Sequence, residues 1–500
     1  MNIVVGSGPS GVAAAPALLD GGQDVTMLDI GRDRDPVLVG RGEPDRDDPA
    51  RKLLFGSSHP YLGDLESGLV QTGTRCLASG GLGGLSAVWG ASTLPFPEDE
   101  LGEWPFKAED LRPYYAHAAR LLGISGVPDA LEALFPFHAP PEPPLDMSLQ
   151  ARRVHSRLSS QSAALSSAGI RFGRARHAVQ AALCEYDAAC LRGCARNAIW
   201  SSSHVIGKLK GRPGFSYRGG MRVLCLEENR QRVRLHVAPA GASRTVFEAN
   251  KVFLACGPLA TARLVCGSFG APETGLPLLS QPYFVLPLLL DESVPGAPEK
   301  GLHTLAQLYL ELRDPAVSKR TVHLQLYTHN EIIADRIDSA VGWLCFDRPR
   351  RRMRDILSSR LLAVQGYLHS DEGVPVAVAS RGRGEDCRLF ITASNARASH
   401  AAIRRAAQKL SSHRRLLGFR PLSCLMKFGL PGEGNHVGGL FPMNAAPGPW
   451  QSDRLGRLHG RGRVHLVDSS ILPTLPATTF TYAVMANAWR VAAEAMRGAP

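Results

Sequence analysis

The chain opens on a short apolar run, Ile3-Val4-Val5, then glycines, an alanine-rich stretch from Val12 to Leu19, a Gly21-Gly22 turn and a second apolar run, Val25 to Leu28. Unbroken apolar runs bounded by glycine read as buried strands, and the stretch between them reads as a helix. The predicted order is strand, helix, strand, with Asp29 at the end of the second strand. Residues 31–51 are polar, rich in Pro and Arg and without periodicity, as expected of a surface loop. Residues 98–122 read as a helix that opens at Trp104-Pro105, with Leu111, Tyr114, Tyr115, Ala118, Leu121 and Leu122 on one face. The Pro-rich residues 131–145 read as a crossing between domains. Strands are predicted at 221–226 and 232–237, and an apolar strand from Lys251 ends at Gly257 and enters a helix.

From 276 to 425 the pattern alternates as in an antiparallel sheet. Val322, Leu324 and Leu326 share one face of such a strand, and His323, Gln325, Tyr327 and His329 share the other. That polar face suits a cavity wall and open water equally well. Residues 376–379 and 389–392 read as further strands, and 482–496 as a closing helix.

At 500 residues the chain exceeds the usual size of a single core, so two domains are expected. The formal net charge of +12 is concentrated in part at Arg348, Arg350, Arg351, Arg352 and Arg354. No aromatic residues are interleaved there to stack on bases, so the run reads as a solvated face and no nucleic-acid partner is expected. No apolar run is long enough to span a bilayer. A core strand that begins at Ile3 leaves no room for a cleavable signal, and the ten cysteines are too scattered for a disulfide framework. A cytoplasmic protein is expected. Cys184, Cys190 and Cys194 lack an evident fourth ligand, so they read as structural or free thiols, with a disulfide or a cysteine-lined pocket as the alternatives, and no metal is expected.

Gly6-x-Gly8-x-x-Gly11, with Pro9 and Ser10 inside it, lies where the first strand turns into the helix. Such a turn brings backbone N–H groups and a helix N-terminus to a pyrophosphate, and Asp29 is placed to accept from ribose hydroxyls. A bound dinucleotide is expected. In residues 77–92, Gly80, Gly81, Gly83 and Gly84 are followed by small residues and Trp89-Gly90, which suits backbone lying flat against a planar ligand.

The segment Gly-Gly-Leu-Ser-Ala-Val-Trp-Gly, with Ser86 and Trp89 in it, resembles the second flavin-contacting signature of the glucose-methanol-choline oxidoreductases. Matching blocks run from end to end of the chain. The resemblance implies a doubly wound α/β, Rossmann-like FAD-binding domain (1–120, 200–275 and 440–500). It also implies an inserted antiparallel-sheet-plus-helices substrate domain (121–199 and 276–439). Relatives with covalent FAD carry a His just before the matching Trp; Val88 stands there, so the FAD is expected to be non-covalent. By the same resemblance Val223 meets the adenine, and Gly257 marks the return of the chain to the FAD domain.

Gly434-Asn-His436-Val-Gly-Gly439 is similar to the family's His-x-x-Gly-Thr block, from which it departs at the Thr. The resemblance makes His436 the catalytic base. Asp468-Ser469 and the turn with Ala477 and Thr478 resemble the final FAD block, whose helix N-terminus faces the flavin N1/O2 edge. Eleven residues past Asp468 the family carries His or Asn; this chain has Thr479, which can orient a hydroxyl but not act as a base. The implied activity is oxidation of an alcohol on a sugar or natural-product intermediate, by hydride transfer to N5 with His436 as base. The partners are a small-molecule substrate and an electron acceptor (oxygen, quinone or carrier protein) left open by the sequence. A net non-redox isomerisation or elimination, or a light-driven step on the same fold, is the alternative.

Overall fold

The computed structural model describes the chain except for residues 32–67, 189, 191–193, 195, 298–300, 344–345, 395–396, 398 and 498–500. The loop expected at 31–51 therefore falls, beyond Gly31, outside the described residues.

Strand β1 (Asn2–Val5) and strand β2 (Val25–Leu28) are buried along their whole length, as strands covered on both faces must be. Helix α1 (Pro9–Asp20) connects them, with Pro9 in its first turn, where a missing N–H costs nothing. The two strands lie in a five-stranded parallel sheet. Its order is Val464–Leu466, Val252–Leu254, β1, β2 and Phe215–Arg218. The expected strand-helix-strand order is present, and segments from near both ends of the chain share this sheet. The C-terminal helix, Thr481–Arg497, packs along α1. Its buried Arg490 lies 4.2 Å over the Phe106 ring and donates to Asn487 Oδ1 and the Arg454 carbonyl.

The alternating region forms two sheets. One joins Val437–Gly438, Leu276–Ser280, Val376–Arg381, Arg388–Ala393 and Leu69–Thr72, and its buried residues belong to the same core as the parallel sheet. The other is antiparallel and seven-stranded. Its central order is Tyr283–Leu290, Leu361–Leu368, Val322–Tyr327 and Leu308–Leu312. Leu308, Leu310, Val322, Leu324, Leu326, Leu362 and Val364 turn to one side of it. There they make a second core with helices Leu149–Ser160 and His400–Ser412. The opposite face carries Tyr309, Glu311, His323, Gln325, Tyr327, Gln365 and Tyr367, and none of these is left to open water.

The helix expected over 98–122 begins only at Arg112, with Pro113 in its first turn; residues before it form two short 3-10 turns, Glu98–Glu100 and Ala108–Leu111. Pro105 cannot donate to a helical ladder, and the residue before a proline is steered away from helical angles. The arginine run lies on a helix, Asp347–Arg360, on which Arg348, Arg350, Arg351, Arg352 and Arg354 are exposed.

The approach of α1 to β1 is a backbone contact. A Cβ at Gly11 would stand 2.1 Å from the Gly6 carbonyl oxygen, and Gly6 itself has φ +105°, where only glycine is unstrained. Gly11→Ala is therefore expected to destabilise the protein by about 1–3 kcal/mol, the usual scale for forced overpacking. The check is a lower urea midpoint with an unchanged m-value.

Candidate active site

A cavity of about 510 Å³ lies between the parallel-sheet unit and the polar face of the seven-stranded sheet. At one end sits the start of α1. Gly6, Gly8, Pro9 and Ser10 line the wall, and no side chain caps the helix, so its first-turn N–H groups and positive dipole end are open to an anion. Asp29 lines the same end, buried, with Tyr217 Oη donating to Oδ2 at 3.1 Å. Burial pushes its carboxyl above the ordinary value, so further donors there would be stabilising.

The second glycine-rich segment is tied to the first: Gly83 N donates to Ser7 Oγ at 2.9 Å. Gly80, Gly81, Gly84, Ser86, Trp89 and Gly90 all line the cavity, as does Val88. A Cβ at Gly84 would lie 3.7 Å from Gly8 Cα, so the two glycine turns are neighbours. Ser86 Oγ is occupied within the protein, donating to Gly83 O at 2.6 Å and accepting from Ser202 N at 3.0 Å. Trp89 Nε1 donates to Trp200 O at 2.8 Å, which holds its ring. Val223 and Gly257 line the wall as well.

Gly11, Ala477 and Thr478 were expected at the ligand and do not line the cavity. Gly11 serves the contact with Gly6. Ala477 and Thr478 are fully buried in the turn that precedes the helix Thr481–Arg497, with the Thr478 carbonyl turned to Gln281. Thr479, Phe480 and Thr481 take the position at the cavity. Asp468 and Ser469 line it too. Asp468 accepts from Thr261 Oγ1 and from Ser470 N, so it also pins the segment to helix Pro258–Phe269.

His436 lines the cavity half-buried. The turn that presents it rests on Ser469. Gly439 N donates to Ser469 O at 2.9 Å, and a Cβ at Gly438 would stand 2.3 Å from that same oxygen. Gly439 has φ +68°, and a Cβ there would meet Leu279 at 2.5 Å, so glycine is required on both counts. The imidazole is held between two rings, with Tyr367 at 5.0 Å and Phe480 at 4.9 Å between centroids.

Its protonation pattern follows from Gln281. The Gln281 amide nitrogen donates to the carbonyls of Pro476 and Thr478, which turns Oε1 to His436 Nδ1 at 2.6 Å. An amide oxygen only accepts, so Nδ1 carries the ring proton and Nε2 keeps a lone pair. Burial pushes the imidazole down to about 3, so it stays neutral across the ordinary pH range. Thr479 Oγ1 accepts from Leu94 N at 3.1 Å, which leaves its own proton free to donate.

The polar face of Val322–Tyr327 turns out to face the cavity and not water. Gln325 and Tyr327 line it with Gln365 and Tyr367, while His323 lies behind them, paired with Glu311 at 2.7 Å. Gln281, Gln365, Tyr367 and Phe480 were not anticipated. The only local signal for Gln281 was a lone amide between two apolar strands. Cys184, Cys190 and Cys194 lie apart from this site, around a small cavity of about 30 Å³ that His303 also lines.

No protein-family model matches the chain. It is 25% identical to paromamine 6'-oxidase of Streptomyces fradiae over 527 aligned positions, covering 98% of this chain and 90% of that protein. Among solved structures it resembles pyridoxine 4-oxidase of Mesorbium loti, with a TM-score of 0.67, 16% identity and coverage of 100% and 99%. It also resembles an Aspergillus oryzae formate oxidase variant, with a TM-score of 0.64, 13% identity and coverage of 99% and 97%. The chain is thus similar from end to end to these oxidases, and its ordered motif blocks resemble those of the glucose-methanol-choline oxidoreductases.

Proposed function

We propose that the protein is an FAD-dependent oxidoreductase that oxidises a CH–OH group of a sugar or another small natural product. The observation that carries this reading is the tautomer of His436, whose unprotonated Nε2 belongs to the same cavity as two glycine-rich turns. Likeness to oxidases named for paromamine and pyridoxine supports the substrate class.

FAD fits the cavity on three counts: an uncapped helix start at Gly8, a buried carboxylate at Asp29, and bare backbone from Gly80 to Gly84. Gly6, Gly8, Pro9 and Ser10 would hold the diphosphate, Asp29 a ribose, and Val223 and Gly257 the adenine end. Gly80, Gly81, Gly84, Trp89 and Gly90 would flank the ring system together with Thr479 to Thr481, while Asp468 and Ser469 would support the ribityl side. Val88 offers no nucleophile for a covalent link. When bound, FAD supplies the acceptor for the hydride that leaves the alcohol carbon.

The reacting hydroxyl gives its proton to His436 Nε2, and Gln281 keeps Nδ1–H in place as the ring becomes cationic. Thr479 Oγ–H donates to a substrate oxygen and orients it. Tyr367 and Phe480 fix the imidazole plane and shield it from water. We place the enzyme in a reducing cytoplasm, a reading supported by its free thiols. Among the described residues no helix is long and apolar enough to cross a membrane.

His436→Ala is expected to leave FAD bound and to slow anaerobic flavin reduction by an alcohol about 10²-fold or more; stopped-flow absorbance checks this. Because the His436 pKa is lowered to about 3, its neutral, accepting form persists as pH falls through 6.5. The wild-type reduction rate should therefore stay level from about pH 7 to pH 5, and an acid limb near the free-histidine value would contradict the assignment. Asp29→Ala should weaken FAD retention more than it slows reduction of the bound flavin, as measured by FAD dissociation on dilution alongside the single-turnover rate.

A further inference from the structure

Apart from Tyr367, the polar face of the seven-stranded sheet takes no part in the proton transfer above, yet its hydrogen bonds run in one direction. Gln325 Nε2 faces His323 Nε2 at 3.2 Å. An amide nitrogen only donates, so His323 Nε2 accepts and the ring proton sits on Nδ1. That proton is given to Glu311 Oε1 at 2.7 Å, with both residues fully buried behind the cavity wall. Gln325 Oε1 is thereby turned the other way, where it accepts from Tyr327 Oη at 3.0 Å.

Two groups are left over at the cavity surface, which Gln325 and Tyr327 both line. The Gln325 amide keeps a second N–H, and the Tyr327 oxygen, having donated, keeps its lone pairs. Gln365 lies directly opposite Gln325 across the strands and lines the same wall. Tyr327 Oη stands 3.9 Å from where a Cβ of Gly90 would be, so this pair adjoins the second glycine-rich turn. Tyr367 bridges to the base: its ring is 6.4 Å from His323 and 5.0 Å from His436.

The wall has donors and acceptors but no ionised side chain. The carboxylates and guanidinium groups that line the cavity are Asp29, Asp468, Glu385, Arg222 and Arg263, and all lie on other segments. Glu311 does not line the cavity. A hydroxyl both donates and accepts, which matches one free N–H beside one free phenol oxygen. A protonated amine only donates and would leave the Gln325 N–H opposed by a cation.

We infer that Gln325 and Tyr327, positioned by the buried Glu311–His323 pair, form a second oxygen-binding subsite that selects uncharged substrates bearing a further hydroxyl beside the oxidised one. This rests on the alcohol-oxidising reading proposed above. Glu311 and His323 are positioning residues in it, and Gln325 and Tyr327 determine specificity.

The test uses the FAD-loaded full chain and three matched probes: cyclohexanol, trans-cyclohexane-1,2-diol and trans-2-aminocyclohexanol. Anaerobic flavin reduction gives kcat/KM for each, and perturbation of the flavin absorbance at short times or at low temperature gives binding. Wild type should favour the diol over cyclohexanol by about tenfold, the scale of one to two net hydrogen bonds, and should discriminate against the amine. Gln325→Leu should abolish the preference by raising KM for the diol, with cyclohexanol unchanged within about twofold. Tyr327→Phe, the milder change, should lose part of it, and Glu311→Gln should do the same through KM with kcat kept.

Equal losses for diol and cyclohexanol in Gln325→Leu and Tyr327→Phe would mean a structural role and overturn the subsite. A preference for the amine would overturn it too. If no probe reduces the flavin, alcohol oxidation fails as a reading, but diol binding that Gln325→Leu abolishes would still establish the subsite, and binding indifferent to both substitutions would refute it.

Discussion

Helix α1 can begin over the cavity only because two glycines let backbone touch backbone. Gly11 packs where any side chain would meet the Gly6 carbonyl oxygen at 2.1 Å, and Gly6 in turn presses on the carbonyl of Ala255 at 2.5 Å from its missing Cβ. Ala255 follows the neighbouring strand Val252–Leu254, so one contact sets the spacing of two strands and a helix. The position of α1 sets that of the C-terminal helix packed along it. The start of that helix carries Thr479 to Thr481 to the cavity, and the turn before it offers the carbonyls that orient Gln281. The proton on His436 is thus placed, through a chain of packed elements, by the absence of side chains near the N-terminus.

The proposed reactive centre draws on segments far apart in the sequence. Gln281 and His436 are separated by 155 residues, Leu94 and Thr479 by 385. Each pair joins two segments far apart in the chain, and each uses a backbone or amide partner. Such partners give direction without charge. Within a buried cavity that distinction matters, since an unpaired charge would cost several kcal/mol while an amide bond is nearly neutral in its net effect.

What could be read in advance followed from locality. The first thirty residues form a complete supersecondary unit whose periodicity, glycines and acid are all in sequence, so strand, helix, strand and Asp29 were legible together. The alternation at Val322 to His329 disclosed two faces, but whether the polar face was covered depends on elements hundreds of residues away. The last helix was legible as 482–496 and runs from Thr481 to Arg497; what the sequence did not disclose is that Ala477 and Thr478 turn inward and leave Thr479, Phe480 and Thr481 at the cavity. Gln281 was invisible for a simpler reason: one amide between apolar strands has no meaning until its three partners, all distant in the chain, are in place.

The choice of an amide at His436 Nδ1 carries a chemical consequence. A carboxylate there would give an opposite charge within hydrogen-bonding distance and raise the imidazole's affinity for protons by one to three pKa units. The proposed base would then keep its neutral form over a narrower range of pH and would release its proton more slowly after each turnover. Gln281 Oε1 fixes the same ring orientation and the same tautomer but adds only a dipole, so burial dominates and the neutral form prevails. The chain solves the matching problem at His323 the other way. There a carboxylate, Glu311, sits at Nδ1, and the ring is sealed from the cavity by Gln325, which accepts no proton. One histidine is left free to take a proton, and the other is committed to holding an amide in place. The difference lies in what stands behind each ring.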